Sequence, residues 1–151
     1  MPFCICDCTF VNRFNGGMVA IIKDADDKTV AITNEQWKAQ TFYTAPIKDL
    51  GCVSEINSSR LSENCDTSDS DDGANYYGLH WELPQGWDKE RFDDSGWPNA
   101  VTYSNETIGV NNKKSYTNFE DIFDDPANDA RFIWSSNVIL DNLVLVRHVV
   151  K

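Results

Sequence analysis

Short apolar runs separated by polar turns form the pattern of hydrophobic and polar positions along this chain. Runs rich in β-branched or aromatic residues cover residues 18–22, 29–33, 37–44, 76–83, 130–135 and 138–150. Nowhere do apolar residues recur at i, i+3, i+4 and i+7 over three turns, which is the spacing of an amphipathic helix. Many short strands with frequent turns are typical of an all-β domain, so the pattern predicts a sandwich or a jelly roll.

The first runs predict a hairpin and a third strand. Residues 18–22 and 29–33 are short and rich in β-branched side chains, and the acidic stretch 24–28 lies between them as a turn. Residues 37–44 predict the third strand. We expect this strand to end at Ala45-Pro46, because proline restricts the residue before it.

The later part of the chain is less regular. Ser, Asn, Asp and Glu dominate residues 48–75, which makes this the least structured stretch of the pattern. Residues 119–123 predict one helical turn. Residues 143–146 are apolar at successive positions, so both faces of this strand are expected to be covered, which predicts a buried central strand.

One polar turn is bracketed by two aromatic side chains. Phe92 and Trp97 flank Asp93-Asp94-Ser95-Gly96, whose residue types favour turns because their side chains bond to the local backbone. Each aromatic side chain gains about 1.5–3 kcal/mol by burial. We therefore predict a tight corner clamped by the two rings, with residues 130–134 as the strand that packs beside it.

These motifs carry a resemblance. The order of residues 17–20, residues 32–38, then Phe92-Asp93-Asp94-Ser95-Gly96-Trp97-Pro98-Asn99-Ala100, then Ala130-Arg131-Phe132-Ile133-Trp134 resembles the galactose-binding-domain-like β-sandwich superfamily. Members occur as accessory modules of glycoside hydrolases and in extracellular proteins. The resemblance implies a jelly-roll sandwich, frequently a structural calcium, and often sugar binding in loops at one end.

The expected organisation is one sandwich domain with an arm. Residues 16–151 form the galactose-binding-like domain, and residues 1–15 form an extended N-terminal arm that donates a strand in one of the readings below. A chain of 151 residues is long enough to bury a single substantial core. The arm and the long polar loop are departures from the superfamily pattern.

The net charge narrows the class of partner. The formal charge is −11 at pH 7. Phosphate backbones repel such a surface, so we expect no nucleic-acid partner, and cations, basic proteins and neutral sugars remain open. The sequence has no run of eighteen apolar residues, so no membrane-spanning helix is expected.

The cysteines and the sequons point to an oxidising compartment. Cys52 and Cys65 flank a polar loop and are natural disulfide partners, worth about 3 kcal/mol in the chain-entropy model. Asn57-Ser58-Ser59 and Asn105-Glu106-Thr107 are N-glycosylation sequons, predicting glycans on Asn57 and Asn105. We expect a secreted glycoprotein. Lacking a signal peptide, the sequence is then a processed chain or a segment of a longer one.

The odd number of cysteines leaves an alternative open. Cys4, Cys6 and Cys8 share one face if the arm is a strand. Their C-x-C-x-C spacing suits a soft metal, but the sequence has no matching second cluster. One of the three is therefore a candidate free thiol or a bridge to another chain.

Catalysis is not expected. His80 and His148 lie within apolar strands, where a histidine is more often a packed residue than a base. The sequence has no G-x-S-x-G elbow, Walker loop or H-E-x-x-H motif. Paired carboxylates for glycoside hydrolysis need an enclosed cleft, which a sandwich of this size seldom has. The protein is therefore predicted not to be an enzyme.

Two kinds of binding site are predicted. Sugars stack on aromatic rings while amides and carboxylates reach their hydroxyls, and the candidate carbohydrate residues are Asp72, Asn75, Tyr76, Tyr77 and Trp87. Calcium takes six to eight oxygen ligands. The candidate calcium residues are Asp24, Asp26, Asp93 and Asp94. The competing reading of these aspartates is ordinary turn chemistry, with Asp93 capping its turn.

Two functions follow from this pattern. The first is a non-catalytic extracellular module for recognition, with glycans as the favoured partner. The alternative is a structural subunit that adds a strand of its arm to the next copy and polymerises head-to-tail into a filament or matrix.

Overall fold

The computed structural model describes residues 15–67, 76–110 and 129–150. The fold is all-β, and its strands pair antiparallel. The strands are β1 (Ile21–Lys23), β2 (Thr29–Ile32), β3 (Lys38–Ile47), β4 (Ser54–Ile56), β5 (Ser59–Leu61), β6 (Tyr77–His80), β7 (Val101–Tyr103), β8 (Phe132–Trp134) and β9 (Asp141–Arg147). A 3₁₀ turn covers Leu50–Cys52, and the one-turn helix α1 covers Asn105–Ile108.

The predicted first hairpin is confirmed. β1 and β2 pair antiparallel, with Ile21 opposite Ile32. The Asp24 carboxylate closes the acidic turn by accepting hydrogen bonds from the backbone N–H groups of Asp26 and Lys28, each at 3.0 Å. This is the turn chemistry that favours aspartate at such positions.

The central sheet has the order β6-β3-β9, so β3 is its middle strand. Residues 143–146 lie in β9, at one edge of this sheet as far as the structure describes it. The prediction that they form a central strand is therefore wrong. The reason for their continuous apolar pattern is that both faces of the sheet are covered. Val144 and Val146 pack on one face, around Ile133, whereas Leu143 and Leu145 pack on the other, around Trp97.

The prediction that the third strand ends at Ala45-Pro46 is also wrong. β3 continues through a cis Ala45-Pro46 bond to Ile47, which is buried. The register between β3 and β6 shifts between Thr44 and Ile47. Proline therefore falls at an irregularity of the ladder, where its missing N–H removes no regular hydrogen bond.

The stretch 48–75 is more ordered in its described part than predicted. β4 and β5 form a hairpin whose two central residues, Asn57 and Ser58, have φ angles of 49° and 71°. Two left-handed residues are the geometry of a type I′ turn, for which Asn-Gly is the usual signal, and Asn-Ser is a weaker one. Cys52 and Cys65 are joined by a disulfide with their Cα atoms 5.0 Å apart.

A second layer covers one face of the central sheet. Ile133 of β8 is fully buried and packs with Ala31 of β2 and Ala39 of β3. Backbone hydrogen bonds link the β1–β2 hairpin to the paired strands β7 and β8, because Met18 exchanges bonds with Ile133 and Arg131 N–H donates to Thr33 O. Strand on strand packing of this kind places the main core between two layers.

The opposite face, here called the Phe42 face, carries the predicted aromatic corner. Phe42, Trp97 and Leu145 are buried there, and the Phe92 ring lies 5.4 Å from the Trp97 ring. Beyond the corner, Pro98 O accepts from Ala39 N–H, and the chain then enters β7 in the second layer. The corner clamped by two rings is confirmed.

Some predictions fall outside the described residues. These are residues 1–14 of the predicted arm 1–15, with Cys4, Cys6 and Cys8, the loop residues Asp72 and Asn75, and the helical turn of residues 119–123. Within the three described ranges, no helix combines the length and the apolar character needed to cross a membrane.

Candidate functional site

A cleft of about 440 Å³ opens on the Phe42 face. Its floor is β3, one wall is β5, and the other wall is the turn between Phe92 and Trp97. Glu82 and Pro84, which follow β6, complete the rim. The cleft therefore combines three largely buried aromatic side chains with several polar and charged groups.

Gln40 fixes the β5 wall to the floor. Its side chain is only 1% exposed, and its Oε1 accepts a hydrogen bond from Arg60 N–H at 3.1 Å. Its Nε2 donates to Ser58 O. The side-chain amide thus bonds to the β4–β5 hairpin as a peptide group of a neighbouring strand does, and a buried amide needs such partners.

The corner turn packs directly on the hairpin. Ser59 Oγ donates to Gly96 O at 3.1 Å, and a Cβ atom at Gly96 would lie 3.2 Å from Asn57 O. This close backbone approach favours glycine at that position. Asp93 Oδ1 accepts from Ser95 N–H at 3.0 Å, which is the predicted turn cap. Hydrogen bonds from Ser95, from its side chain first and then its backbone, lower the pKa of Asp93.

Arg60 is the central charged group of the cleft. Its guanidinium carbon lies 4.8 Å from the ring centroid of Phe42 and 4.8 Å from that of Trp81, so the cation stands against two aromatic rings. Nη1 donates to Thr41 O at 3.0 Å. Nε is buried and has no hydrogen-bond partner in the structure.

The surroundings of Arg60 compensate its charge only in part. Burial lowers the pKa of its guanidinium, and the charge of Glu55 opposes this in part. Glu55 itself accepts a hydrogen bond from Trp81 Nε1 at 2.8 Å. Among the residues described, no carboxylate comes within ion-pair distance of Arg60. Arginine remains protonated even so, because its unperturbed pKa is far above neutrality.

A second arginine anchors the corner. Arg147 of β9 pairs with Asp94, Nε to Oδ2, at 2.9 Å, and its guanidinium carbon lies 5.1 Å from the Phe92 ring. Its other nitrogens donate to the carbonyl oxygens of Trp87 and Lys89. The loop that carries the corner is thereby tied to the central sheet.

The predicted carbohydrate residues that the structure describes do not line this cleft. Tyr77 is 53% exposed on β6, opposite Ile47. Trp87 packs against the Phe42 cluster, and Tyr76 directly precedes β6. Among the site residues named from the sequence that the structure describes, only Asp93 lines the cleft.

Sequence reasoning missed Gln40, Phe42, Arg60 and Glu82. One signal was available for Arg60, which is the only Lys or Arg between Lys48 and Lys89. A single cation in such an acidic stretch calls for an explanation. Gln40 and Phe42 give no comparable signal, because their neighbours in the cleft are distant in sequence.

The predicted calcium residues are engaged in other contacts. Asp24 accepts backbone hydrogen bonds and Asp94 pairs with Arg147, as described above. Asp26 is exposed in the β1–β2 turn. In the parts of the chain that the structure describes, no three His, Cys, Asp or Glu side chains are grouped so as to hold a metal ion.

A buried polar cluster, here called the Asp141 cluster, lies in the interior. Asp141 is 2% exposed and accepts hydrogen bonds of 2.5–2.8 Å from four hydroxyl groups. The donors are Thr41, Thr44, Ser62 and Ser135. Because they come from β3, the segment after β5 and the segment after β8, the carboxylate joins these elements to β9.

Tyr103 lies next to this cluster. Its hydroxyl donates to Ser135 O at 2.7 Å. Burial, reinforced by the charges of Asp141 and Glu63, raises the pKa of Tyr103 to about 12. The cluster is a structural unit, since its groups are buried and satisfied by one another.

No protein family, no curated protein and no solved structure matches this chain in the comparisons made.

Proposed function

We propose that this protein is a non-catalytic extracellular module that recognises carbohydrate through the cleft on the Phe42 face. The observation that carries the proposal is the convergence of Arg60, Glu82 and Asp93 on a cleft with aromatic walls. Planar charged groups of both signs bond well to sugar hydroxyls, which donate and accept hydrogen bonds. Phe42 and Trp97 are buried, so the partly exposed Phe92 is the aromatic side chain of the cleft whose apolar surface a sugar ring covers.

The electrostatics of Asp93 favour binding over hydrolysis. A glycosidase needs one carboxyl group with a raised pKa, so that it can protonate the leaving oxygen. The pKa of Asp93 is instead lowered by Ser95. An ionised Asp93 is a hydrogen-bond acceptor for a hydroxyl group and not a general acid.

The finer fold and the compartment are part of the proposal. Two packed layers and the aromatic corner support a jelly-roll sandwich of the galactose-binding-like kind. The disulfide between Cys52 and Cys65 is compatible with secretion. Asn57 is exposed at the tip of the β4–β5 hairpin, and Asn105 is partly exposed at the start of α1, which suits glycosylation at both.

The test is a broad glycan array followed by calorimetry with two variants. Glu82→Ala changes an exposed side chain in the cleft, and we expect affinity to fall by about tenfold or more, the value of one charge-assisted hydrogen bond. Tyr77→Ala is the matched control, because it removes an exposed aromatic side chain outside the cleft. Loss of binding by the Tyr77 variant alone would move the site to β6, and silence across the array would overturn the proposal.

Two further predictions stay predictions. Structural calcium at Asp24, Asp26, Asp93 or Asp94 is tested by the change in melting temperature on adding calcium or a chelator. Assembly through the arm depends on residues 1–14, which lie outside the described part of the chain, and light scattering of concentrated protein tests it.

A further inference from the structure

Arg60 holds a positive charge that Glu55, opposite it in the β4–β5 ladder, compensates only in part, in a protein that is strongly acidic. Its carboxylate neighbours are engaged elsewhere or stand apart, since Glu55 bonds to the Trp81 indole and Asp93 bonds to Ser95 N–H. The Nε–H group has no partner in the structure. A buried donor without a partner carries a free-energy penalty, which a ligand oxygen relieves.

The orientation of the guanidinium is already fixed. The rings of Phe42 and Trp81 hold its plane, and the bond from Nη1 to Thr41 O holds its rotation within that plane. Nη2 has no hydrogen bond to a described residue, and Nε, on the same edge of the guanidinium, can bond to a ligand once the atoms that cover it move aside. Two N–H groups on one edge of a guanidinium match the two oxygens of a carboxylate.

The other charged groups of the cleft are hydrogen-bond acceptors, which suit hydroxyl groups on a ligand. Glu82 and Asp93 line the cleft as hydrogen-bond acceptors, and Gln40 is engaged with the hairpin. A ligand that satisfies the whole cleft therefore has one carboxylate and several hydroxyl donors. Uronic acids are sugars with this combination of groups.

The net charge of −11 limits the number of carboxylates on the ligand. A polyuronate brings many negative charges to an acidic surface, and like charges repel over about 8 Å at physiological salt. Resting on the carbohydrate function proposed above, we infer that the cleft recognises a single uronic-acid residue of an otherwise neutral glycan, with its carboxylate on Arg60.

Calorimetry on the whole chain tests this inference. The ligands are the methyl glycosides of glucuronic and galacturonic acid, the matching neutral methyl glycosides of glucose and galactose, and polygalacturonate. We expect each uronide to bind about tenfold or more tightly than its neutral counterpart at physiological salt. Polygalacturonate is expected to bind more weakly per residue than the monomeric uronide.

Three variants locate the effect. Arg60→Gln is expected to bind uronide and neutral glycoside equally, and Arg60→Lys to keep only part of the preference, since it lacks the two-pronged edge. Arg91→Gln is the matched control, because Arg91 is exposed and outside the cleft and the variant changes the net charge equally. Its preference should be unchanged.

A measurement on the unaltered protein keeps the test decisive if the Arg60 variants do not fold. The Nε–H group of Arg60 is buried, so it gives a protected side-chain resonance in a proton–nitrogen spectrum. We expect this resonance to shift on adding uronide and to stay in place on adding the neutral glycoside.

The outcomes separate the two proposals. Equal binding of uronides and neutral glycosides, with the Arg60 resonance unmoved, overturns the uronate inference and leaves carbohydrate recognition standing. Absence of binding by every glycoside overturns both. Tighter binding of polygalacturonate per residue overturns the restriction to a single carboxylate.

Discussion

Thr41 contacts two charged side chains, Asp141 and Arg60, whose hydrogen-bonding surroundings are opposite. The Thr41 hydroxyl donates to the carboxylate of Asp141, whereas its carbonyl oxygen accepts from the guanidinium of Arg60. Asp141 is enclosed and accepts from four hydroxyl groups. Among the described residues, the guanidinium of Arg60 donates one hydrogen bond, stands against two aromatic rings and has an Nε–H without a partner.

The difference separates a structural group from a binding group. A buried polar network whose members are all satisfied specifies one arrangement of the strands around it. A charged group with unused donors contributes little to folding, and its free-energy penalty is relieved only when a ligand arrives. Four experiments test this difference between the two groups, and they are given in order of decreasing expected effect.

Removal of the carboxylate at the centre of the Asp141 cluster should be the most damaging change. Asp141→Ala leaves several buried hydroxyl groups without an acceptor, and we expect the free energy of unfolding to fall by about 3–5 kcal/mol. Urea denaturation measures this, and Asp26→Ala in the exposed β1–β2 turn is the control. A loss below about 1 kcal/mol would show that the cluster does not hold the strands together.

The two arginines of the Phe42 face should differ in what they contribute to stability. Arg147→Met removes the ion pair with Asp94 and two further hydrogen bonds, and is expected to cost about 2–3 kcal/mol. Arg60→Met keeps the packing of the stem and loses the bond to Thr41 O and the two ring contacts, but it also removes a buried donor without a partner, so its net effect should stay within about 1 kcal/mol. Both variants are compared by urea denaturation, and equal losses would contradict the comparison.

Titration of Tyr103 tests the charge of the Asp141 cluster. Its pKa is raised to about 12, so its contribution to stability is complete below pH 10 and is lost as the pH rises toward 12. We expect Asp141→Asn to lower the pKa of Tyr103, because one of the raising charges disappears. Tyrosinate absorbance measures it, with Tyr77, which is exposed, as the reference. An unchanged Tyr103 titration would mean that burial and Glu63 raise its pKa without a contribution from Asp141.

The smallest expected effect concerns His148. Burial favours the neutral form of its imidazole, whereas Arg60 stays protonated. His148 stacks on Trp37 with their ring centroids 4.8 Å apart, and burial lowers its pKa below 6.5. Its contribution to stability is therefore present above pH 6.5 and is lost as the pH falls through the lowered value. Urea denaturation at neutral and mildly acidic pH should show this slope. His148→Gln should flatten it, whereas His80→Gln should leave it in place.

The sequence predicted the elements whose signals are local. The hairpin of β1 and β2 has its acidic turn, and the corner has Phe92 and Trp97 on either side of turn residues. The local sequence signals failed at two places. At the Asn57-Ser58 turn, serine stands where glycine is usual, and Pro46 falls at an irregularity of the β3–β6 ladder. In each case the three-dimensional surroundings decided the backbone conformation.

The two charged regions could not be predicted because they are assembled from distant segments. The hydroxyl groups around Asp141 come from residues up to 100 positions away. Ser and Thr are common in turns and strands, so none of these positions is distinctive alone. Arg60 was visible as an isolated cation, but its two aromatic neighbours are reached only through the pairing of β3 with β6 and the folding of the β4–β5 hairpin.

The side-chain amide of Gln40 has a dynamic consequence. Within the described residues, the hydrogen bonds between the β4–β5 hairpin and β3 run through the side chains of Gln40 and Arg60. The hairpin is thus a separate opening unit, able to swing away while the ladder of β3 with β6 and β9 stays closed. The backbone amide of Arg60, whose acceptor is Gln40, should exchange with solvent deuterium faster than the amides of β3. The cleft wall is therefore expected to open locally and independently of the central sheet.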